Sequence, residues 1–337
     1  MAIKWLLDNA GAVVRYRTQV ELIKNDDKGL LQESLADVLS LPQVQKRLSL
    51  LENLDFNRVH GSDSTHLENV LPMLSDFGLC YDIDAFRNAV KNNAGMVKSV
   101  FDYTGYNKTQ AYPFLLKTKI PINGLLEFAV ERINTIYKFT QHMNYEIYDD
   151  AANHKGVPKP FRDRPIIKPS VAYGDMCRLP LIYDIVTMAE VYDRVPIDIQ
   201  RKIESIIDYV ISPGYDSVVF GYGILAAPGK KYYSMGWDCK KPFNDTQENT
   251  YRNLHRLLLY SAFHSITKSM WFLNTVDYLM RYKTDNGTYV FPKEYLVEQD
   301  SNWVLGSHMS LAENRRTKQW AEVESTFYML KLIKCVK

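Results

Sequence analysis

Apolar residues return every three or four positions along most of the chain. In RYRTQVELIK, Tyr16, Val20 and Ile23 fall at i, i+4 and i+7 and share one helical face. LLQESLADVLSLPQVQKRLSLLENL repeats the pattern, with Pro42 placed to open a second helix in its first turn, where its missing N–H costs nothing. STHLENVLPMLSDFG starts on good cap residues, Ser64 and Thr65, and stops at Gly78, a residue suited to the left-handed turn after a helix. DIDAFRNAVKNNAGMVKSVF reads as its partner helix. Helical periodicity continues in INGLLEFAVERINTIYKFTQHM, RLPLIYDIVTMAEVYD, PIDIQRKIESIIDYVIS, TYRNLHRLLLYSAFHS, SMWFLNTVDYLMRYK and KQWAEVESTFYMLKLIK. Only DSVVFGYGI (216–224) and NGTYVFPKEY (286–295) look like short extended pieces, and neither has enough companions for a sheet. The pattern predicts an all-α protein with short β-like loops.

Helix pairs recur along the chain. Leu67–Gly78 with Asp82–Phe101 forms one unit, Leu179–Tyr192 with Ile197–Tyr215 a second, and Leu254–Phe263 with Trp271–Tyr289 a third; the single helix Trp320–Lys334 follows. Amphipathic helices of this kind bury one another's apolar faces. Their wide, irregular spacing suits a closed ring better than an open solenoid. The proline-rich stretch 149–175 interrupts the pattern. Because the same pattern resumes beyond it, it is expected to be a long loop within one domain spanning residues 1–337.

Composition narrows the function classes. With 46% hydrophobic residues, the chain can bury a large core, and a net charge of +2 without a basic run removes the electrostatic footprint of nucleic-acid binding. Four scattered cysteines with no CxxC pair fit a reducing compartment. The first residues lack the apolar core of a signal peptide, and no run is long enough to span a membrane, so a cytoplasmic protein is expected. GxGxxG, GxxxxGK[ST], HExxH and GxSxG are all absent from the sequence. Tyrosine, at 23 copies, suits a cavity lined by rings with polar tips.

The stretch DYLMRYKTDNGTYVFPKEYL, the final QWAEVESTFYMLKLIK and the opening WLLDNAGAVVRYRTQVELI together resemble the terpenoid cyclase and protein prenyltransferase superfamily. The likeness is diffuse and covers roughly residues 4–334. It implies an α/α toroid of helical hairpins around an aromatic central cavity, with a hydrophobic, isoprenoid-like small molecule as ligand and cyclase- or transferase-like activity. The superfamily's catalytic motifs are not carried over intact. A D-x-D-D acid would fall at YDIDAF, but Ala85 breaks the run, and Asp82 and Asp84 sit where acids favour a helix start. The zinc site of the prenyltransferases needs an Asp, a Cys two residues later and a His. Here Asp238 and Cys239 are adjacent, and Ser325 stands where the His is expected. No cofactor is expected; zinc would need a rearranged site, with His308 reaching in from a loop.

Two polar loops concentrate chemistry. In the loop 236–241, Trp237, Asp238 and Cys239 precede Lys240 and Lys241, which could lower the thiol pKa. In the loop 306–316, His308 is a candidate acid or base, while Glu313, Arg315 and Arg316 could bind substrate, the arginines as an anion clamp. The bland alternative is ion pairing within the loop: Glu313 with Arg316, and Arg315 with Glu322 or Glu324. Arg252, His255 and Arg256 share a helix and either face a cavity or form its solvated side. Asp238, Cys239 and His308 are therefore the expected catalytic residues, and Trp237, Arg252, His255, Glu313, Arg315 and Arg316 the expected substrate-binding ones, with no metal ligand. Two other readings stay open: a carbohydrate-active α/α-barrel lyase or hydrolase, and a non-catalytic helical-repeat protein.

Overall fold

The computed structural model describes residues 1–93, 103–150, 156–174, 176–219, 221–227, 231–236, 239–243 and 250–336. It is mostly helical. In chain order the helices are α1 (Ala2–Asn9), α2 (Ala12–Arg17, continued by a π-turn over Thr18–Ile23), α3 (Lys28–Ser40), α4 (Pro42–Glu52), α5 (Leu67–Asp76), α6 (Asp84–Asn92), α7 (Gly105–Lys117), α8 (Leu125–Thr140), α9 (Ile182–Val191), α10 (Ile197–Ile211), α11 (Thr250–Tyr260), α12 (His264–Thr267), α13 (Met270–Met280) and α14 (Trp320–Val336).

Local chemistry sets several of these ends. Asp27 caps α3 by accepting a hydrogen bond from the Leu30 amide, and Ser269 caps α13 through the Phe272 amide. Pro42 opens α4 in its first turn. α5 closes on Gly78 at φ +83°: the Leu79 amide bonds back to Leu74 and the Gly78 amide to Ser75, the paired bonds of a left-handed glycine stop. Asp84 lies in the first turn of α6 and Asp82 pairs with Lys119, so this acidic string serves helix and surface structure.

The strands are more organised than the sequence pattern suggested. β1 (Tyr148–Asp149), β2 (Ile166–Ile167), β5 (Gly223–Ala227) and β6 (Lys231–Met235) form a four-stranded sheet in the order β1-β2-β5-β6, parallel only between β2 and β5. β3 (Ala172–Tyr173) and β4 (Met176–Cys177) form a separate two-stranded ladder. Most of these strands have two residues, too short for an alternating pattern to register. The 149–175 stretch thus supplies strands as well as loop.

Contacts cluster in two compact units. The first comprises Met1–Asp102, Phe114–Pro121 and Pro242–Lys337. Here α4 packs on α3, α5 and α6, and α14 packs on α1, α2, α11 and α13. Fully buried Phe86, Phe114, Phe272, Phe291 and Phe327 fill its core. Truncating such a ring costs about 3–5 kcal/mol in a well-packed core. The second unit comprises Tyr103–Pro113 and Ile122–Lys241. There α8 packs on α9 and α10, and the sheet closes over Val157, Ile166 and Ile224.

Candidate functional site

The loop 306–316 of the first unit is fixed from several directions. The chain before it pairs antiparallel with its start: the Gln299 amide bonds to Ser307 and the Met309 amide to Val297. The Tyr328 hydroxyl donates to the Met309 carbonyl at 2.7 Å, and the Leu311 amide donates to Glu324 Oε1 at 2.8 Å, so two residues of α14 hold the loop. Ala312 then takes a left-handed conformation, φ +61°, uncommon for a residue with a side chain. That turn directs Glu313 toward the α1–α2 junction, where its Oε1 accepts a hydrogen bond from the Gly11 amide at 2.8 Å. A Cβ on Gly11 would lie 2.8 Å from that oxygen, so the carboxyl needs a glycine there.

Arg315 is the strut beneath. Its Nη1 donates to the Leu296 carbonyl at 2.9 Å, and its guanidinium lies 3.8 Å over the Trp320 ring. Nε stands 3.2 Å from Glu298 and Nη2 3.0 Å from Glu324, close enough for ion pairs but without hydrogen-bond angles. The alternative pairing of Arg315 with Glu324 thus forms in the structure, whereas Glu313 meets Gly11 and not Arg316. Arg316 is exposed.

These groups border a cleft of about 650 Å³ lined by Asn9, Gly11, Gln43, Glu313, Arg315 and Trp320, among others. Burial pushes the Glu313 carboxyl up to about 7, against the pull of the Gly11 amide, Arg15 and Arg315. Glu324, fully buried, is pushed up by burial to about 8, with Arg315 and the Leu311 amide opposing and Glu313 and Glu298 adding to the rise. Of these two carboxyl groups Glu313 lines the cleft, so it is the one that can donate or accept a proton there.

The other expected residues are placed differently. His308 is buried against the edge of Phe77, and its Nδ1 donates to the Gln299 carbonyl at 2.8 Å. A carbonyl only accepts, so in the neutral ring Nε2 carries the lone pair, and it has no hydrogen-bond partner among the described residues. Burial lowers the His308 pKa, with Arg47 adding to the effect. His255 is buried with its ring edge-on to Trp303 at 4.6 Å, and burial lowers it to about 4. Arg256 is buried and Arg252 half-buried, so this stripe is not the solvated face of its helix. Gly306, at φ +78°, allows the close approach: a Cβ there would stand 2.8 Å from that of His255.

Cys239 belongs to the second unit and His308 to the first. The Cys239 side chain is fully buried. Its Sγ donates to the Pro180 carbonyl at 3.2 Å, and its amide donates to the Tyr215 hydroxyl at 3.0 Å. Tyr215 shares a hydrogen bond with Tyr222, which donates to the same carbonyl. Lys240 and Lys241 turn to carbonyls of Asp216 and Ile211. Trp237 and Asp238 lie outside the described residues. Ser325 is buried, and its Oγ accepts from the Phe291 amide. Among the described residues, no group of three or more His, Cys, Asp or Glu is placed to hold a metal ion, and no helix is long and apolar enough to cross a membrane.

A second cleft, about 700 Å³, runs along α8 in the other unit. Its ionisable side chains, Glu127, Glu131 and Lys138, are exposed, which leaves them little different from an ordinary surface.

Sequence reasoning did not single out Gly11, Trp320 or the proton-holding role of Glu324. A glutamate within the buried stretch VESTF of the last helix was the signal for the last of these. The Glu313–Gly11 bond joins positions 302 residues apart and leaves no local trace. Comparison of the chain with protein-family models, with curated proteins and with solved structures gives no match in any of the three.

Proposed function

We propose that the chain binds a small polar molecule in the Glu313 cleft and exchanges a proton with it through the Glu313 carboxyl, as an acid–base enzyme does. The observation that carries this reading is the placement of that carboxyl: it is partly covered, fixed by the Gly11 amide and exposed to a cleft large enough for a small ligand. Near neutrality, both forms of Glu313 are populated, which suits a general acid or base. Asn9, Gln43, Asn314 and Thr317 add hydrogen-bonding groups along the walls, and Trp320 adds an aromatic surface. This lining favours a polar ligand over the hydrophobic, isoprenoid-like one implied by the resemblance. On the same reading Arg315 positions Trp320 and the loop and does not clamp an anion, because its nitrogens face Leu296, Glu298 and Glu324. The α/α-toroid closure belongs to the proposal too, supported by the recurrent pairing of helices within each unit.

The test is a pH titration of the protein with carboxyl-labelled glutamate, followed by NMR, using Glu313→Gln to assign the resonance. A Glu313 midpoint near 7 is expected. A midpoint in the ordinary carboxylate range overturns the reading.

A further inference from the structure

The cleft holds a carboxyl that forms no ion pair among the described residues. Glu313 receives one hydrogen bond, from a backbone amide. No Lys, Arg or His nitrogen among the described residues forms an ion pair with it within 4.0 Å. The two guanidinium groups nearby turn toward other oxygens, although Arg15 Nε and Arg315 Nε and Nη2 make no hydrogen bond among the described residues. Arg15, on α2, donates Nη2 to the Ala10 carbonyl at 2.9 Å. Arg315 is divided among the Leu296 carbonyl, Glu298 and Glu324, with its face on Trp320. The fields of Arg15 and Arg315 act on Glu313, yet burial outweighs them. An ionised carboxylate under cover and without a counter-ion is disfavoured, so near neutrality much of the group keeps its proton, and an arriving positive charge shifts it to the carboxylate. An anionic ligand would meet the Glu313 carboxyl on the wall, and the guanidinium of the lining, Arg315, already lies beside Glu298 and Glu324.

The geometry points to a small organic cation, an amine or guanidinium compound, as the ligand of this cleft, held by Glu313 in place of the internal counter-ion the fold does not provide. The inference rests on the reading of Glu313 as the proton-exchanging group of the site. Leu41, Ala12, Val323 and the Trp320 ring supply apolar surface for the carbon skeleton of such a ligand, and the Asn9 and Gln43 amides border it. Binding is coupled to proton release. The protonated Glu313 carboxyl meets R–NH3+, gives its proton to the buffer, and remains as carboxylate paired with the ammonium. No covalent bond of the ligand breaks. The ligand thereby turns the group facing it from an acid into a base. The charged groups acting on Glu313 are Arg15 from α2, Arg315 from the loop itself and Glu324 from α14; of these, Glu324 also holds a proton near neutrality, is fully buried and does not line the cleft.

The experiment uses the full chain with carboxyl-labelled glutamate and three probes of one shape: phenethylammonium, phenethyl alcohol and phenylacetate. At a pH just below the Glu313 midpoint, the ammonium is expected to bind about tenfold or more tightly than the alcohol, the size of one charge-assisted hydrogen bond. Phenylacetate is expected to bind least. Saturating ammonium moves the Glu313 midpoint down by about one unit or more, which is the same tenfold preference expressed as proton affinity. Calorimetry in buffers of different ionisation heat reads the released proton directly, and Glu313→Gln removes both the preference and the release. Equal binding of alcohol and ammonium, tighter binding of phenylacetate, or an unmoved Glu313 midpoint at millimolar ammonium overturns the cation assignment. If Glu313 in the free protein titrates as an ordinary carboxylate, it is the acid–base reading that fails. The three probes are compared on the wild-type protein, so the cation assignment stands or falls even where Glu313→Gln does not fold.

Discussion

Each unit sets an arginine beside a buried carboxyl group, and the two pairs are built to opposite ends. In the second unit, Arg132 grips Asp184 with two parallel bonds, Nε to Oδ1 at 2.9 Å and Nη2 to Oδ2 at 2.7 Å. Its remaining donors reach the carbonyls of Cys177 and Leu179, and Asp184 also caps α9 through the Leu181 amide. Every polar atom is satisfied, the guanidinium is held charged by Asp184, and the whole is sealed. In the first unit, Arg315 touches Glu324 through one nitrogen at 3.0 Å without hydrogen-bond geometry, and a second carboxyl, Glu313, feels its charge but forms no ion pair among the described residues. Such incomplete pairing leaves proton affinities near neutrality. The complete pair is a structural rivet; the incomplete one is where chemistry can be done.

The largest expected effect tests the rivet. Asp184→Ala leaves Arg132 charged and buried with its main partner gone, a loss of about 3–5 kcal/mol. Urea denaturation measures it. The same substitution at Glu324 removes a carboxyl that is mostly protonated at neutral pH, and costs about 1–3 kcal/mol, chiefly from the unpaired Leu311 amide and Arg315. If the two substitutions cost the same, the contrast between the pairs collapses.

Stability against pH separates the clusters next. Glu313 and Glu324 hold protons in the folded protein that the unfolded chain has released above its ordinary carboxylate pKa. Their contribution is therefore complete at acid pH and is lost as pH rises through about 7 and then about 8. His255 works in the other direction. Its folded pKa of about 4 lies below the ordinary value, so its contribution is present above about 6.5 and is lost as pH falls toward 4. The double variant Glu313→Gln, Glu324→Gln should flatten the alkaline limb and leave the acid limb in place. An alkaline limb that survives both substitutions would show that these carboxyls are not its source.

Smaller changes probe the cleft itself. Gly11→Ala pushes against Glu313 Oε1 and removes one hydrogen bond, at a cost of about 1 kcal/mol. A loss above about 3 kcal/mol, the upper end for one buried bond, would mean that the backbone and not the carboxyl tip has moved. At pH 4, where the Glu313 carboxyl holds its proton in the folded protein and mostly in the unfolded chain, Glu313→Gln should change stability by no more than about 0.5 kcal/mol, because the amide resembles the protonated carboxyl in shape and charge.

Local signals in the sequence carried the helices well. Pro42 opens a helix, Phe77–Gly78 closes one, and Arg315 meets Glu324 as charge spacing suggested. What escaped has one physical character: it depends on residues far apart in the chain. His255 looked like part of a polar stripe, and its burial requires Trp303 and Gly306 from another segment. The sheet needs β2 and β5, nearly sixty positions apart, to run parallel in strands too short to alternate visibly. Of the two polar loops, the one at Cys239 turned its thiol inward to Pro180, and the one at Glu313 kept a carboxyl at a cleft. Composition was similar in both; the burial of their neighbours made the difference.

The first unit is assembled from separated stretches, Met1–Asp102 and Pro242–Lys337 with a short piece between them. A ribosome makes about 5–20 residues each second, so the opening stretch is outside for on the order of ten seconds before its partner arrives. During that interval α2 and α5 lack the α14 and Trp303 contacts that will cover them, and Asp76 awaits the indole that will donate to it. The chain therefore spends its early life with apolar surface open to chaperones, and a stop codon anywhere before α14 would release a polypeptide unable to complete its first unit.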